Sequence, residues 1–553
     1  MTEIFDLSES WVREYADLDP YAATMWGMRE LEDRMPDYSP GGFEARIEHR
    51  RRGLDRLAAA RPESEHDRLA AAVMREILED EASLDDAGDW LRPLHVFGSP
   101  VQHLREAFDL MTFDTEADWE HAAARMEALP EAAQNLIATL DEGTRRDVMA
   151  APRQALACAE MADKWAGRNG DGSYFHRLVG EYAGPNGLGD RLGAAASTAS
   201  DAFAGLAEYL RDTYAPSSTE PDAVGRDRYV LHARTHLGMD VDPEATYEWG
   251  WEELARIEAD MAETARRIDP NKTLDEVFEL LNSDPGRAIE GPEQLRAWLQ
   301  ELMDRTIAEL DGAHFDIPGP VKTVQAMLSP PGTAAAMYYT PPSDDFSRPG
   351  RTWYPVRNLT RFPIWTEVST CYHEGVPGHH LQSAQVVYRR DRLSAFQRLY
   401  GWVPGHGEGW ALYAERLMAE LGYMENPDYL LGQLEAQRFR AVRVVVDIGM
   451  HLELEIPQDQ PFHPGERWTP ELALEFMLAR TSLDPGFASS EIDRYLGWPG
   501  QAISYKVGER EWLSIRDAAS RAQGDAFDLK AFHSRALDIG PVGLARLRAE
   551  MAP

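Results

Sequence analysis

Four of the chain's 16 histidines, His373, His379, His380 and His406, gather in one stretch, and Glu374 follows the first of them directly. Histidine beside glutamate on a helix is how a zinc hydrolase begins its centre. The imidazole ligates the ion, and the carboxylate takes a proton from the water the ion activates. Such centres use three protein ligands and leave a position open. In the usual pattern the second histidine comes four residues after the first, about 40° round the helix. Here that position is Pro377, within HEGVPGHHLQ from His373 to Gln382. His380 returns to the face of His373 but lies roughly 10 Å along an unbroken helix, too far for one ion. His379 is on the wrong face unless the helix is distorted. Pro377-Gly378 supplies a cause, since proline breaks the hydrogen-bond ladder and glycine accepts unusual dihedrals. A bulge there would absorb the extra residues and bring His379 to the metal. His379 is the expected ligand, and His380 the expected supporting or substrate-touching residue.

The third ligand must come from another helix. In GHGEGWALYAERLMAEL, Glu408 opens an apolar helix and Glu415 lies farther along the same face. One carboxylate on zinc and the next holding a ligand histidine by its other nitrogen is the expected division of labour. The glycines of GHGEG make no phosphate loop, because no strand precedes them and a glutamate stands where phosphate would sit. There is no GxSxG elbow, and Cys371 next to His373 is no nucleophilic pair. Metal-assisted hydrolysis of a peptide, or of another small amide, is the chemistry that remains. A helical binding protein without catalysis is the alternative from a different class.

Downstream, RFRAVRVVVDIGMHLEL sets Arg440, Arg443, Asp447 and His451 at helical spacing in an apolar stretch. Buried ionisable groups need partners or a cavity. They form either an internal ion-pair ladder or support for the centre, with the arginines as a clamp for a substrate carboxylate. WPGQAISYKVGEREWL presents Tyr505 after a Pro-Gly break, where its hydroxyl could donate to a tetrahedral oxyanion.

The elements that must hold these residues read mostly as helices. Apolar residues recur at helical spacing over 67–78, 118–140, 192–214 and 243–269. Proline and glycine clusters at 98–100, 184–189, 220–225 and 285–292 separate them. The texture changes at 316–363, which is rich in Pro, Gly, Tyr and Trp. Two strand-like pieces, Ala336–Thr340 and Thr352–Val356, flank the turn material PPSDDFSRPG and predict a hairpin. Helical character resumes near Trp365, with breaks at 456–470 and 497–500. The expected fold is mainly α: helical N-terminal subdomains over 1–315, then a catalytic subdomain over 316–553 with a small β-hairpin just before the motif. An edge strand beside the metal could hold an extended peptide.

Composition narrows the setting. The chain has 553 residues, 43% of them hydrophobic, and 15 tryptophans, ample for a large core. Its formal net charge of −38 repels nucleic acid and anionic membrane surfaces. Two cysteines, Cys158 and Cys371, make neither a disulfide framework nor a cysteine metal cluster. No apolar run approaches membrane-spanning length, and the acidic N-terminus lacks a signal-peptide core. The expected setting is the cytoplasm, with a peptide or small amide as the partner.

Taken together, HEGVPGHHLQ, EGWALYAERL from Glu408 to Leu417 and WPGQAISYKVG from Trp498 to Gly508 resemble a large bacterial family labelled domain of unknown function 885 (DUF885). SRPG, WYPVRN and the N-terminal DPYAATMWG match it as well, so the resemblance spans nearly the whole chain. That family is in turn similar to helical gluzincins, zinc metallopeptidases of thermostable carboxypeptidase, oligopeptidase and angiotensin-converting type. The resemblance implies a zincin-like helical body with a deep central cleft and a sheet edge beside the metal. It implies zinc on His373, His379 and Glu408, with Glu374 as base and Tyr505 polarising the scissile carbonyl. The longer spacing between the histidines is where this chain departs from the gluzincins.

Overall fold

The computed structural model describes residues 2–329, 337–356 and 359–552. It is mainly helical, with small sheets. The chain divides into two compact units, Met1–Leu231 with Ser490–Pro499, and His232–Ser489 with Gly500–Pro553. The boundary expected near residue 315 falls inside the second unit, because the helices after residue 232 pack on C-terminal helices.

In the first unit, α1 (Pro40–Ala59) packs on α2 (Glu65–Asp86), and α3 (Glu116–Arg145) and α4 (Pro152–Ala166) pack on α5 (Asn186–Tyr209). Leu129, Leu136, Leu140, Cys158, Phe175 and Phe203 fill the core between them. The DPYAATMWG segment is structural. Asp19 caps the short helix Pro20–Met25 by accepting from the Tyr21 and Ala22 amides, and Thr24 lies against the fully buried Arg125. That guanidinium donates to Thr24 Oγ1 at 2.8 Å and to the carbonyls of Arg34 and Leu31 at 3.0 and 3.3 Å. Burial pulls its pKa down to about 10, still charged at neutral pH. Arg125→Met keeps the volume but strands these acceptors. It should lower stability by about 3 kcal/mol, read from the denaturant midpoint; an unchanged midpoint would contradict that role.

In the second unit, α6 (Pro243–Ile268) is followed by β1 (Ala288–Glu290), α7 (Pro292–Leu310) and then the strands β2 (Val324–Leu328), β3 (Tyr338–Thr340), β4 (Gly350–Tyr354) and β5 (Arg361–Pro363). β1 pairs antiparallel with β5, Ile289 opposite Phe362. The other sheet has the order β2-β4-β3, with β2 parallel to β4 and β3 antiparallel to it, Tyr339 opposite Thr352. The expected hairpin is therefore present over slightly different bounds, and Ala336 lies outside the described residues. The parallel partner β2 was not expected. Its VQAML is too short for its period to separate strand from buried helix.

Five further helices carry the candidate site residues: α8 (Glu367–Glu374), α9 (His379–Tyr388), α10 (Pro404–Glu420), α11 (Pro427–Leu452) and α12 (Ser504–Gln523). α11 packs along α6, and α10 along α12. Both contacts are set by glycine. A Cβ on Gly250 would meet Val444 at 2.9 Å, and one on Gly409 would lie 2.5 Å from the Gly508 Cα. The second contact brings the backbone beside Glu408 against α12.

Candidate metal centre

The single bulged helix expected across HEGVPGHH is two helices. Gly375 (φ −94°, ψ −125°) ends α8, and Gly378 (φ −75°, ψ −131°) precedes α9. The intervening turn doubles back so tightly that a Cβ on Gly378 would lie 2.0 Å from the His373 carbonyl oxygen and 2.4 Å from that of Tyr372. Only glycine fits. The Gly378 N–H donates to the Tyr372 carbonyl at 3.0 Å, and the buried Trp410 indole of α10 donates to the Pro377 carbonyl at 2.9 Å. The turn thus brings the His379 ring to 4.8 Å from the His373 ring, nearly perpendicular at 87°.

Glu408, from the first turns of α10, faces both rings. Its Oε2 is 3.5 Å from His373 Nε2 and 3.4 Å from His379 Nε2, and the three ligand atoms lie within 4.8 Å of one another. This oxygen is buried and makes no hydrogen bond. A buried carboxylate oxygen left so is rare and asks for an explanation. Donors each ~2.1 Å from one tetrahedral ion stand roughly 3.4 Å apart, which is the spacing from Glu408 to each imidazole, and two imidazoles with one carboxylate suit zinc. The residues fit the ion.

The surroundings aim the donors. His373 Nδ1–H donates to Glu415 Oε1 at 2.7 Å, and Ser369 donates to the other Glu415 oxygen at 2.5 Å. This fixes the ring's orientation and turns Nε2 toward Glu408. Burial pulls the His373 pKa down, but the facing Glu408 and Glu415 carboxylates outweigh it and hold it at about 9. For Glu408, burial raises the pKa and the two imidazoles more than offset that, leaving it well below the usual carboxylate range. The cluster is built to hold positive charge.

His380 faces away. Its Nε2–H donates to the Val321 carbonyl at 2.7 Å, so its Nδ1 accepts from the Tyr339 hydroxyl at 2.9 Å. Burial pulls its pKa to about 4 and keeps it neutral. A Cβ on Gly350 would be 2.5 Å from this ring, so β4 begins directly against it. Of two adjacent histidines, one meets Glu408 and the other ties the sheet to α9.

Glu374 is 7% exposed, and no described residue pairs or hydrogen-bonds with its carboxylate. Tyr505 lies on α12 one turn before Gly508, whose backbone touches Gly409. Its ring carries the Arg443 guanidinium at 4.5 Å and that of Arg440 at 5.8 Å, and Phe439 stacks on Arg443 from 4.1 Å. Asp447 approaches His451 to 3.9 Å and accepts the Gly500 amide at 3.0 Å, which holds the turn leading into α12. Lys506, next to Tyr505, instead joins Glu253 at 2.8 Å and Glu509 at 2.5 Å. A polar hollow of about 360 Å³ between Trp249, Arg416, Glu509 and Arg510 contains none of the cluster residues.

Trp410 and Ser369 were not anticipated. Their signals were present: a tryptophan directly after the Glu408-Gly409 pair, and a serine one turn before His373. Glu415→Ala frees the His373 ring and should weaken zinc binding by about 10- to 100-fold in a chelator competition titration. An unchanged affinity would remove Glu415 from the centre.

Residues 20–551 match a family described as a bacterial protein of unknown function (DUF885). None of the curated proteins matches the sequence. The chain is similar in fold to a candidate lipoprotein from Colwellia psychrerythraea, with a TM-score of 0.85 and 22% identity over 100% of this chain and 99% of that one. It is also similar to a candidate lipoprotein of unknown function from Shewanella oneidensis, with a TM-score of 0.74 and 16% identity over 99% and 98%. At these identities the likeness concerns the fold.

Proposed function

We propose that this chain, which belongs to the bacterial DUF885 family, is a zinc-dependent hydrolase of peptide bonds in short peptides, of carboxypeptidase or oligopeptidase type. One observation carries the proposal: the unsatisfied Glu408 oxygen stands at ligand spacing from the Nε2 atoms of His373 and His379. The resemblance of the motifs to helical gluzincins supports the same reading.

His373, His379 and Glu408 would hold the ion. Zinc supplies Lewis acidity, easing ionisation of a water and polarising a carbonyl. Glu374, adjoining His373 and without a hydrogen-bond or ion-pair partner among the described residues, takes the proton of the attacking water and returns it to the departing amine. A single group in both roles leaves the enzyme in its starting protonation state. Tyr505 donates its hydroxyl to the oxyanion, and Arg443, stacked between Phe439 and Tyr505, holds that ring in place. Arg440 beside it attracts a carboxylate of the substrate. Glu415 and Ser369 keep His373 aimed, and His380 keeps the sheet against α9.

Zinc-loaded protein should hydrolyse unblocked di- to pentapeptides faster than N-acylated metabolite amides in direct competition. A preference for the amides would transfer the same machinery to a non-peptide substrate. No helix among the described residues is long and apolar enough to cross a membrane. The reading places the protein in the cytoplasm, and cell fractionation tests it: a lipid-anchored protein, as the structural neighbours are described, would sediment with membranes.

A further inference from the structure

The metal cluster meets solvent through His379 and Glu408, whose side chains keep 11% and 18% of their exposure. Beside both stands Trp402, in the short link that leads into α10. Its ring centroid is 6.3 Å from that of His379. Its far edge lies on Gly407, the residue before Glu408, where a Cβ would sit 2.1 Å from the ring. Glycine at 407 is what lets the indole lie there. The backbone under it is fixed as well, since the Trp402 N–H donates to the Tyr400 carbonyl at 2.8 Å.

Yet 52% of this tryptophan is exposed, and no described residue accepts from its indole N–H. Trp402 is one of the largest apolar surfaces the second unit leaves uncovered. The other tryptophans around the cluster, Trp410 and Trp512, are fully buried. A large aromatic surface held rigidly and left open at the mouth of a polar centre gains free energy only when something apolar covers it.

We infer that Trp402 is the specificity wall of the site and takes a bulky apolar or aromatic side chain flanking the scissile bond. This rests on the proposed metal hydrolase. A carbonyl directed at His379 and Glu408 brings its neighbouring substituent over the indole face, where an aromatic ring stacks and buries its surface. Discrimination of such a side chain from a methyl group is then about 10- to 200-fold, the range a hydrophobic pocket supplies.

The test measures binding rather than turnover. Acetohydroxamate and its benzyl-substituted analogue, phenylacetohydroxamate, are titrated calorimetrically into zinc-loaded wild type, Trp402→Ala and Trp402→Phe. In the wild type the benzyl compound binds at least tenfold tighter. In Trp402→Ala that ratio falls to about one while the acetohydroxamate affinity stays unchanged, and Trp402→Phe restores most of the ratio. A ratio unaffected by Trp402→Ala, or equal weakening of both compounds, overturns the role of Trp402 and leaves the metal reading standing. Failure of both compounds to bind the wild type overturns the metal reading, and the inference with it.

Discussion

His379→Ala should release zinc from the purified protein, whereas His380→Gln should retain one ion per chain. The two residues are neighbours on α9, but their rings have opposite surroundings. His379 Nε2 stands 3.4 Å from a Glu408 oxygen that has no hydrogen bond. His380 has both nitrogens engaged, by Val321 and Tyr339. Losing one of three protein ligands should lower zinc affinity on the order of 10³-fold, about a quarter to two-fifths of the free energy of a structural zinc site. In His380→Gln the side-chain amide can still donate to the Val321 carbonyl, so the damage falls on the junction of sheet and helix. That variant should unfold at lower denaturant, by about 1–3 kcal/mol for the buried groups left unpaired, with zinc still bound. Elemental analysis after gel filtration and a denaturant melt distinguish the two. Zinc lost from the His380 variant and kept in the His379 variant would reverse the assignment.

The second large effect is on turnover. Glu374→Gln is nearly isosteric, removes no ligand and breaks no hydrogen bond to a described residue. Metal content and melting should therefore match the wild type. Peptide hydrolysis should fall by about 10²- to 10⁴-fold, the range general acid–base catalysis supplies, or about 3–5.5 kcal/mol of barrier. The loss belongs in kcat rather than KM, because the proton transfer is made in the transition state. Full activity in the Gln variant would leave Glu374 no part in the chemistry.

Much of this centre was legible in the order of residues, and the reasons are local. Glu374 must follow His373 on any helix, and Glu408 and Glu415 share a face because seven residues make nearly two turns. Pro377-Gly378 announced a distortion. Its form was not legible, because a bulge and a full helix break use the same residues. The break is decided by contacts distant in sequence, the Trp410 indole on the Pro377 carbonyl among them. Spacing favours His379 over His380 only once a distorted helix is assumed. That choice depends on Val321 and Tyr339 reaching one ring and Glu408 the other. The strand β2 and the boundary at 231–232 escaped for a related reason. Both depend on partners far along the chain, β4 for the strand and α11 for α6, and a periodic pattern carries only local information.

The most direct test of the central claim is a zinc titration of metal-free protein while hydrolysis of a short unblocked peptide is followed. The rate should rise linearly and break sharply at one zinc per chain, with the Glu374→Gln protein binding the same equivalent and staying silent. A protein that binds one equivalent and hydrolyses nothing, or one whose hydrolysis ignores zinc, would contradict the account.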